Sequence, residues 1–174
     1  MIKNSKLGFT LVELLVVMAI LAILATVSLA NFRTSQIKAR DAQRKADLRQ
    51  IANALEAYMN DHGGYPTASS GKIKACECGK GTTECNWDED TGQREFCDAS
   101  NTVYMTKVPG DPLGPAQSYC YKSNGSYFQL YAKLENTKDQ EAKLNVSCEG
   151  TTYNFGVSSS NCKPEETDPE GKCK

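Results

Sequence analysis

An apolar block near the N-terminus constrains this sequence most strongly. Residues 9–32 contain a single ionisable side chain, Glu13, and residues 14–25 contain no polar side chain. A helix needs roughly 20 apolar residues to cross a bilayer core of about 30 Å, whereas the apolar region of a cleaved secretory signal usually has about 7 to 15. The pattern therefore predicts a membrane-spanning helix over residues 9–32. A secretory signal cleaved near Ala30 is the less favoured alternative.

The residues after this block predict that the same helix continues. No glycine or proline occurs in residues 9–61, and Gly63, Gly64 and Pro66 then form a stop signal. Apolar side chains recur at spacings of three and four residues within this stretch: Leu48, Ile51, Leu55 and Tyr58. This spacing is typical of a helix that buries one face. We therefore expect residues 33–62 to be an amphipathic continuation of the helix, packed against a globular head.

Charge is unevenly distributed along the chain. Residues 33–61 carry six bases and four acids, a net charge of +2, whereas residues 62–174 carry 12 bases and 16 acids, a net charge of −4. Three interpretations stay open at this stage. The bases form local ion pairs on a solvated helix face, or they contact the acidic head of a stacked copy, or they bind DNA.

The residues from Lys6 to Leu15 resemble the leader and methylation signature of type IV pilins and type II secretion pseudopilins. The shared features are a short basic leader, Gly8 directly before Phe9, a Thr-Leu-x-Glu run and a following apolar helix. The resemblance implies cleavage after Gly8 by a prepilin peptidase, methylation of the new amino group on Phe9, and assembly into a helical filament. Leu7 departs from the basic residue that many members have before the glycine.

Glu13 acquires a role from this resemblance. In the family the matching glutamate pairs with the N-terminal amine of a neighbouring subunit, which neutralises both charges inside an apolar filament core. The resemblance thus implies that Phe9 and Glu13 act in assembly. It also implies several partners, namely further copies of this chain, the prepilin peptidase and N-methyltransferase, inner-membrane assembly machinery, and membrane lipid before assembly.

Eight cysteines lie in the last hundred residues: Cys76, Cys78, Cys85, Cys97, Cys120, Cys148, Cys162 and Cys173. This even number indicates an oxidising compartment and predicts four disulfides, but eight cysteines allow 105 pairings and the sequence does not choose among them. Zinc is the less favoured alternative, because no Cys-x-x-Cys pair occurs and His62 is the only histidine. We therefore predict no metal ligands, and we interpret His62 as a residue of the helix end.

A cysteine-rich loop is expected over residues 67–100, which are poor in large apolar side chains. Within it, the run Asp88-Glu-Asp-x-Gly92 superficially suggests calcium, but it lacks the distal glutamate of an EF-hand loop. Calcium is known in the head of secretion pseudopilins, yet no ligand set carries over residue by residue. The sequence therefore predicts no cofactor and leaves calcium open.

A β-hairpin is predicted over residues 118–134, because Asn124-Gly125 separates two aromatic, alternating runs. Residues 152–157 predict a third strand, and a short helical turn is expected around Tyr104. The turn of residues 108–114 followed by the hairpin loosely resembles the head of the major pseudopilin, with Leu113 replacing an aromatic residue. The fold class is accordingly α+β, with a long N-terminal helical spine, membrane-spanning in its first half, packed on a small antiparallel, disulfide-stabilised sheet.

The predicted organisation is a leader (1–8), a transmembrane or filament-core helix (9–32), its amphipathic continuation (33–62) and a head (63–174). The leading hypothesis is a structural filament subunit that is not an enzyme, because no nucleophile–histidine–acid set or phosphate-binding loop is evident. The precursor is expected to cross the cytoplasmic membrane once with its head outside, and the filament to be extracellular or periplasmic. The alternative is a membrane-anchored exported binding or enzymatic domain that does not polymerise.

Overall fold

The structure is a computed structural model that describes residues 8–87 and 95–165, without the side chains of residues 27–31. The chain divides into two compact units, Met1–Lys38 and Ala39–Lys174. A single helix, α1, runs over Leu11–His62, which confirms the prediction of a long N-terminal helix. It ends at Gly63, which adopts φ +70° and donates its N–H to the Met59 carbonyl at 2.8 Å. A glycine ends a helix in this way because it tolerates the left-handed conformation.

The transmembrane segment over residues 9–32 stays a prediction, because the structure does not describe the side chains of residues 27–31 within it. In the part of the chain that the structure describes, no helix is both long enough and apolar enough to cross a membrane.

The helical residues of the second unit bury the predicted face. Leu48, Ile51 and Leu55 are fully buried, and Tyr58 is half-buried against the same core. The core partners come from the head and are mostly large apolar side chains: Ile73, Phe96, Tyr121, Phe128, Leu130 and Leu134. Since fully burying a side chain of this size contributes about 1.5 to 3 kcal/mol, the stripe fixes the helix in the core of this unit.

The central sheet has three strands: β6 (Cys120–Ser123), β7 (Phe128–Ala132) and β10 (Phe155–Ser158), where strands are numbered in chain order. They pair antiparallel in the order β10-β7-β6. All five residues of β7 are buried, as expected for a middle strand covered on both faces. The predicted hairpin is present as β6 and β7, with Ser123 opposite Phe128.

The hairpin loop has four residues rather than two. Gly125 donates its N–H to the Ser123 hydroxyl at 3.1 Å, and Ser126 donates its N–H to the Asn124 side chain at 3.0 Å. The Gly125 carbonyl also accepts the N–H of Tyr65 at 2.8 Å. These bonds hold the loop against the segment that follows α1, so tertiary contact overrides the tight turn that Asn-Gly alone favours.

The predicted third strand is in fact two strands. β8 (Val146–Cys148) and β9 (Thr151–Tyr153) form a separate antiparallel pair, and β10 joins β7 in the central sheet. The break lies at Asn154, whose side chain accepts the Leu134 N–H at 2.7 Å and donates to the Leu134 carbonyl at 3.0 Å. This side chain takes the place of ladder hydrogen bonds, and Tyr153 and Phe155 consequently belong to different apolar clusters.

Within its described residues, the cysteine-rich region forms part of a small sheet rather than a loop. Its strands are β1 Ala68–Ser69, β2 Lys72–Cys76, β3 Thr83–Glu84, β4 Phe96–Cys97 and β5 Val103–Met105. They pair antiparallel in the order β1-β2-β4-β5, with β3 on β2. The helical turn expected at Tyr104 is wrong, because β5 pairs with β4 and Met105 lies opposite Phe96. Short strands with few apolar side chains are stable here because disulfides hold the strands together.

Disulfides join Cys76 to Cys85, Cys78 to Cys97 and Cys120 to Cys148. The first two crosslink the cysteine-rich sheet, and the third ties β6 to β8. Cys162 is also disulfide-bonded, while Cys173 lies outside the described residues. The prediction of a disulfide-stabilised head is therefore confirmed.

Candidate functional site

The most unusual surface of the molecule is the start of α1. Its large apolar side chains are about half exposed or more, from 49 % at Val16 to 78 % at Leu11, and Phe9 before the helix is 85 % exposed. The other members of this set are Val12, Leu14, Leu15, Val17, Met18, Ile20, Leu21, Ile23 and Leu24. These twelve side chains occupy most positions of residues 9–24, so they cover all sides of the helix. An exposed apolar surface of this extent marks a site that contacts a partner or an apolar phase. We call residues 9–26 the apolar stem.

The apolar stem begins with a capping box. Thr10 precedes the first helical residue, and its hydroxyl accepts the N–H of Glu13 at 3.3 Å. In return, one carboxylate oxygen of Glu13 accepts both the N–H and the hydroxyl of Thr10 at 2.8 Å. Such reciprocal bonds satisfy donors that a helix start leaves open, and a carboxylate there also interacts favourably with the helix dipole. The Thr-x-x-Glu spacing is a sequence signal for this helix start.

The predicted processing residues lie just before this box. Gly8 is exposed, with no neighbouring atom where a Cβ would stand, and Phe9 is exposed as well. The Glu13 carboxylate therefore contacts Thr10, the residue that follows Phe9. The structure brings Phe9 and Glu13 to the same end of α1.

A buried ion network between α1 and the head was not predicted from the sequence. Arg44 is fully buried, and its Nε and Nη2 donate to Asp111 at 2.7 and 2.9 Å. Its Nη1 donates to Asp41 and to Glu135, both at 2.7 Å. Arg40 adds bonds of 2.7 and 2.5 Å to the Glu135 carboxylate. The hydrogen bond from Arg40, assisted by Arg44, lowers the pKa of Glu135 to about 2.

A sequence signal for this network did exist. Arg44 lies four residues before Leu48 and seven before Ile51, so it shares the buried face of the helix. A long charged side chain on such a face must find counter-charges, because an unpaired buried ion is very costly. The identity of those counter-charges, Asp111 and Glu135, depends on tertiary structure and could not be predicted from spacing.

Asp41, through a second set of bonds, and Asp47 complete the contact between helix and head. Asp41 accepts the backbone N–H groups of Glu135 and Asn136 at 2.9 and 2.8 Å, which fixes the chain after β7. Asp47 accepts the Tyr119 hydroxyl at 2.7 Å, and burial raises the pKa of Asp47. These bonds position β6 and the turn before it against α1.

Lys45 neutralises the acidic loop after β7. Its Nζ lies 2.9 Å from Asp139 and 2.6 Å from Glu141. The pKa of Asp139 is lowered, chiefly by the hydrogen bond from Lys45. Every acidic side chain of residues 135–141 thus accepts a bond from a base of α1. Calcium takes several free carboxylate and carbonyl oxygens, so these residues do not fit a calcium site.

No other described group supplies a metal site. Cys78, Glu95 and Cys97 lie close enough together, but the two thiols are joined to each other in a disulfide and are not available as ligands. The acidic run at Asp88 lies outside the described residues.

His62 belongs to a polar and aromatic cluster at the end of α1. Its Nε2 lies 3.2 Å from Asp98, and its ring stacks on Tyr58 with centroids 4.1 Å apart. The Tyr104 hydroxyl donates to Asp61 at 2.9 Å. The cluster attaches the cysteine-rich sheet to the end of the helix. His62 is thus a residue of the helix end, as interpreted from the sequence, and it also contacts the head.

Comparison with known proteins connects these features. Residues 3–29 match the family described as the prokaryotic N-terminal methylation motif. The chain is 29 % identical over 131 residues to the type II secretion system core protein G of Pseudomonas aeruginosa, covering 75 % of this chain and 84 % of the relative. The corresponding protein of Klebsiella michiganensis is 35 % identical over 128 residues, covering 74 % and 81 %.

A type IV pilus component is also similar. The type IV wide pilus major component PilA4 of Thermus thermophilus is 38 % identical over 71 residues, which cover 41 % of this chain and 53 % of that protein. No solved structure matches significantly. The methylation motif at the start of α1, together with similarity over most of a core protein G sequence, shows that the chain belongs to the family of type II secretion pseudopilins and type IV pilins.

Proposed function

We propose that the chain is a structural subunit of a type IV pilus or a type II secretion pseudopilus. It is cleaved after Gly8, methylated at Phe9 and assembled into a helical filament. The observation that carries this proposal is the apolar stem, which is exposed on all sides while the head has a complete core of its own. The relatives named above are a secretion-system core protein and a pilus component, which supports the same conclusion.

Burial of the apolar stem between copies drives assembly. Fully burying a leucine, isoleucine or phenylalanine contributes about 1.5 to 3 kcal/mol. Twelve large apolar side chains of the stem are exposed in the single chain. Helices of several copies, packed side by side, remove these side chains from water. The head, which is polar at its surface, stays outside the helical core.

Glu13 sets the register between copies. Cleavage after Gly8 turns the backbone nitrogen of Phe9 into a positively charged amine at the start of the helix, where the dipole disfavours a cation. A carboxylate from a neighbouring copy neutralises that amine, and a charge pair inside an apolar core selects one axial alignment. Glu13 already lies in the first turn, bound to Thr10, at the same end of the helix as Phe9.

The proposal implies a defined processing route. Residues 1–8 are the leader that a prepilin peptidase and N-methyltransferase removes, residues 9–32 form the filament core, residues 33–62 continue the helix and residues 63–174 form the head. The precursor is held at the cytoplasmic membrane with its disulfide-bonded head on the oxidising side. Inner-membrane assembly machinery then builds an extracellular or periplasmic filament, and no catalytic chemistry is required of the chain.

Electron microscopy of filaments tests the proposal. The full chain is produced with a prepilin peptidase and an assembly system of the same class, and the sheared fraction is imaged and quantified. Wild-type protein is expected to form filaments, and Glu13→Ala to lower the yield strongly while the head remains folded.

Glu149→Ala is the matched control, because Glu149 is an exposed head carboxylate without an ion pair among the described residues. Wild-type yield from Glu13→Ala would remove its role in register. Complete absence of wild-type filaments, with correctly cleaved protein present, would contradict the proposed function itself.

A further inference from the structure

The bases of α1 fall into two groups. Arg40, Arg44 and Lys45 each form an ion pair with a carboxylate of the head, and Arg49 lies 4.0 Å from Glu141. These four bases therefore have intramolecular counter-charges, which supports the interpretation of local ion pairs for this part of the helix.

Arg33 and Lys38 form the second group. Both side chains are exposed, and neither has an ion pair or hydrogen bond among the described residues. They are also the only bases of residues 9–38, whose single acid is Glu13. Residues 39–174 carry 16 bases and 20 acids, a net charge of −4. The unpaired positive charges of Arg33 and Lys38 therefore lie within residues 9–38, whereas the excess negative charge lies within residues 39–174, which include the head.

We propose that Arg33 and Lys38 bind carboxylates on the head of a second copy of this chain. The inference rests on the proposed filament function and names the partner of the segment that follows the apolar stem. Arg33 is seven residues beyond Thr26 and Lys38 is twelve, or about 10 and 18 Å along the same helix. Packing that buries the apolar stem between copies therefore brings these two bases close to neighbouring copies as well.

The positive charge of Arg33 and Lys38 determines which groups must lie opposite their side chains. Cations that lose water at an interface need counter-charges, and the same bases from parallel copies would otherwise repel each other. Among residues 9–38 the only possible carboxylate is Glu13. Glu13 is separated from Arg33 by 20 residues of helix, about 30 Å, and is needed at the N-terminal amine. The head of another, axially displaced copy supplies carboxylates for this contact, since residues 62–174 carry a net charge of −4.

Zero-length crosslinking tests this contact directly. Filaments assembled from equal amounts of ¹⁵N-labelled and unlabelled full chain are treated with a carbodiimide, which joins an amine to a carboxylate in contact with it. Digestion and mass spectrometry are expected to show Lys38 linked to a head carboxylate in mixed-isotope peptides, which form only between copies. The same bond should be absent from monomers in detergent.

A charge-reversal pair provides a second readout. Arg33→Glu combined with Lys38→Glu is expected to lower filament yield at least about tenfold at low salt, a loss that corresponds to about 1.4 kcal/mol. Lys107→Glu is the control, since Lys107 is exposed on the head and has no ion pair among the described residues, and its yield should stay at the wild-type value. Circular dichroism of each variant checks that the head is folded.

The outcomes separate this inference from the proposed function. Abundant wild-type filaments in which Lys38 links only within its own chain, or in which the charge-reversed variant assembles normally, would overturn the inference and leave the filament function intact. Normal assembly of that variant together with lost retention of duplex DNA would assign the two bases to nucleic acid instead. Failure of wild-type protein to assemble would count against the filament function itself.

Discussion

Replacing Arg44 by methionine is expected to destabilise the head strongly. The substitution keeps the aliphatic volume of the side chain and removes a fully buried guanidinium that bonds Asp111, Asp41 and Glu135. Asp111 is itself buried, so it becomes an anion without a counter-charge. Breaking a buried pair by removing one partner costs about 3 to 5 kcal/mol.

Thermal unfolding of the full chain in detergent, followed by circular dichroism, measures this cost. For a folding unit of this size, a loss of 3 to 5 kcal/mol lowers the Tm by roughly 10 to 20 °C. Arg49→Met is the matched control, because the Arg49 side chain is 65 % exposed and its nearest carboxylate is 4.0 Å away. That control is expected to change stability by less than about 0.5 kcal/mol.

A double substitution makes the reasoning refutable. Asp111→Asn keeps the acceptor oxygen for the Leu113 N–H, which now bonds Asp111 at 2.9 Å, and removes the charge. Combined with Arg44→Met, it is expected to cost at least about 1 kcal/mol less than the sum of the single changes, because the double variant no longer leaves Asp111 as a buried anion without its counter-charge. Strict additivity, or a loss below about 1 kcal/mol for Arg44→Met alone, would show that the network does not hold the head together.

Three further predictions concern the head. Lys45→Met should lower the Tm, because Asp139 and Glu141 lose their common cation. The wild-type Tm is expected to be the same in EDTA and in CaCl₂. A wild-type Tm that falls in EDTA would contradict the conclusion that these residues do not fit a calcium site. Acid should also destabilise the head, since the folded pKa of Glu135 is about 2, below its ordinary value of 4.5. The stability that Glu135 contributes is complete above pH 4.5 and is lost as the pH falls towards 2. Urea titrations at several pH values measure this loss, and a urea midpoint that is constant over this pH range would refute the prediction. Removing the Cys120–Cys148 disulfide, which closes 28 residues, by replacing both cysteines with alanine should cost about 2 to 4 kcal/mol in urea unfolding, and an unchanged midpoint would be the contrary result.

Long-range patterns in the sequence predicted the spine of the molecule. The absence of glycine and proline through residue 61, followed by Gly63, is enough to place the end of α1, and the 3–4 spacing of Leu48, Ile51 and Leu55 identifies the buried face. These features work because they depend only on the chain's own helical geometry. The hairpin was likewise predicted from two aromatic runs, although tertiary contact lengthened its loop.

Short elements and charge partners were less predictable. The strand over residues 152–157 is divided because the Asn154 side chain bonds the distant backbone of Leu134, which no local pattern reveals. The cysteine-rich region is a sheet because disulfides order strands too short to persist alone, and the pairing of eight cysteines is not encoded in their spacing. Arg44 shows the same limit, since its position on the buried face is readable but its partners are not.

Mass spectrometry of the N-terminus of the polymerised chain tests the central claim most directly. Filaments are sheared from cells that contain the matching prepilin peptidase. The masses of the intact chain and of its N-terminal peptide are then measured. The account predicts a chain that begins at Phe9, carries one methyl group on its amine and retains its disulfides. Filaments built from chains that still begin at Met1, or chains cut near Ala30 and found only as soluble protein, would contradict it.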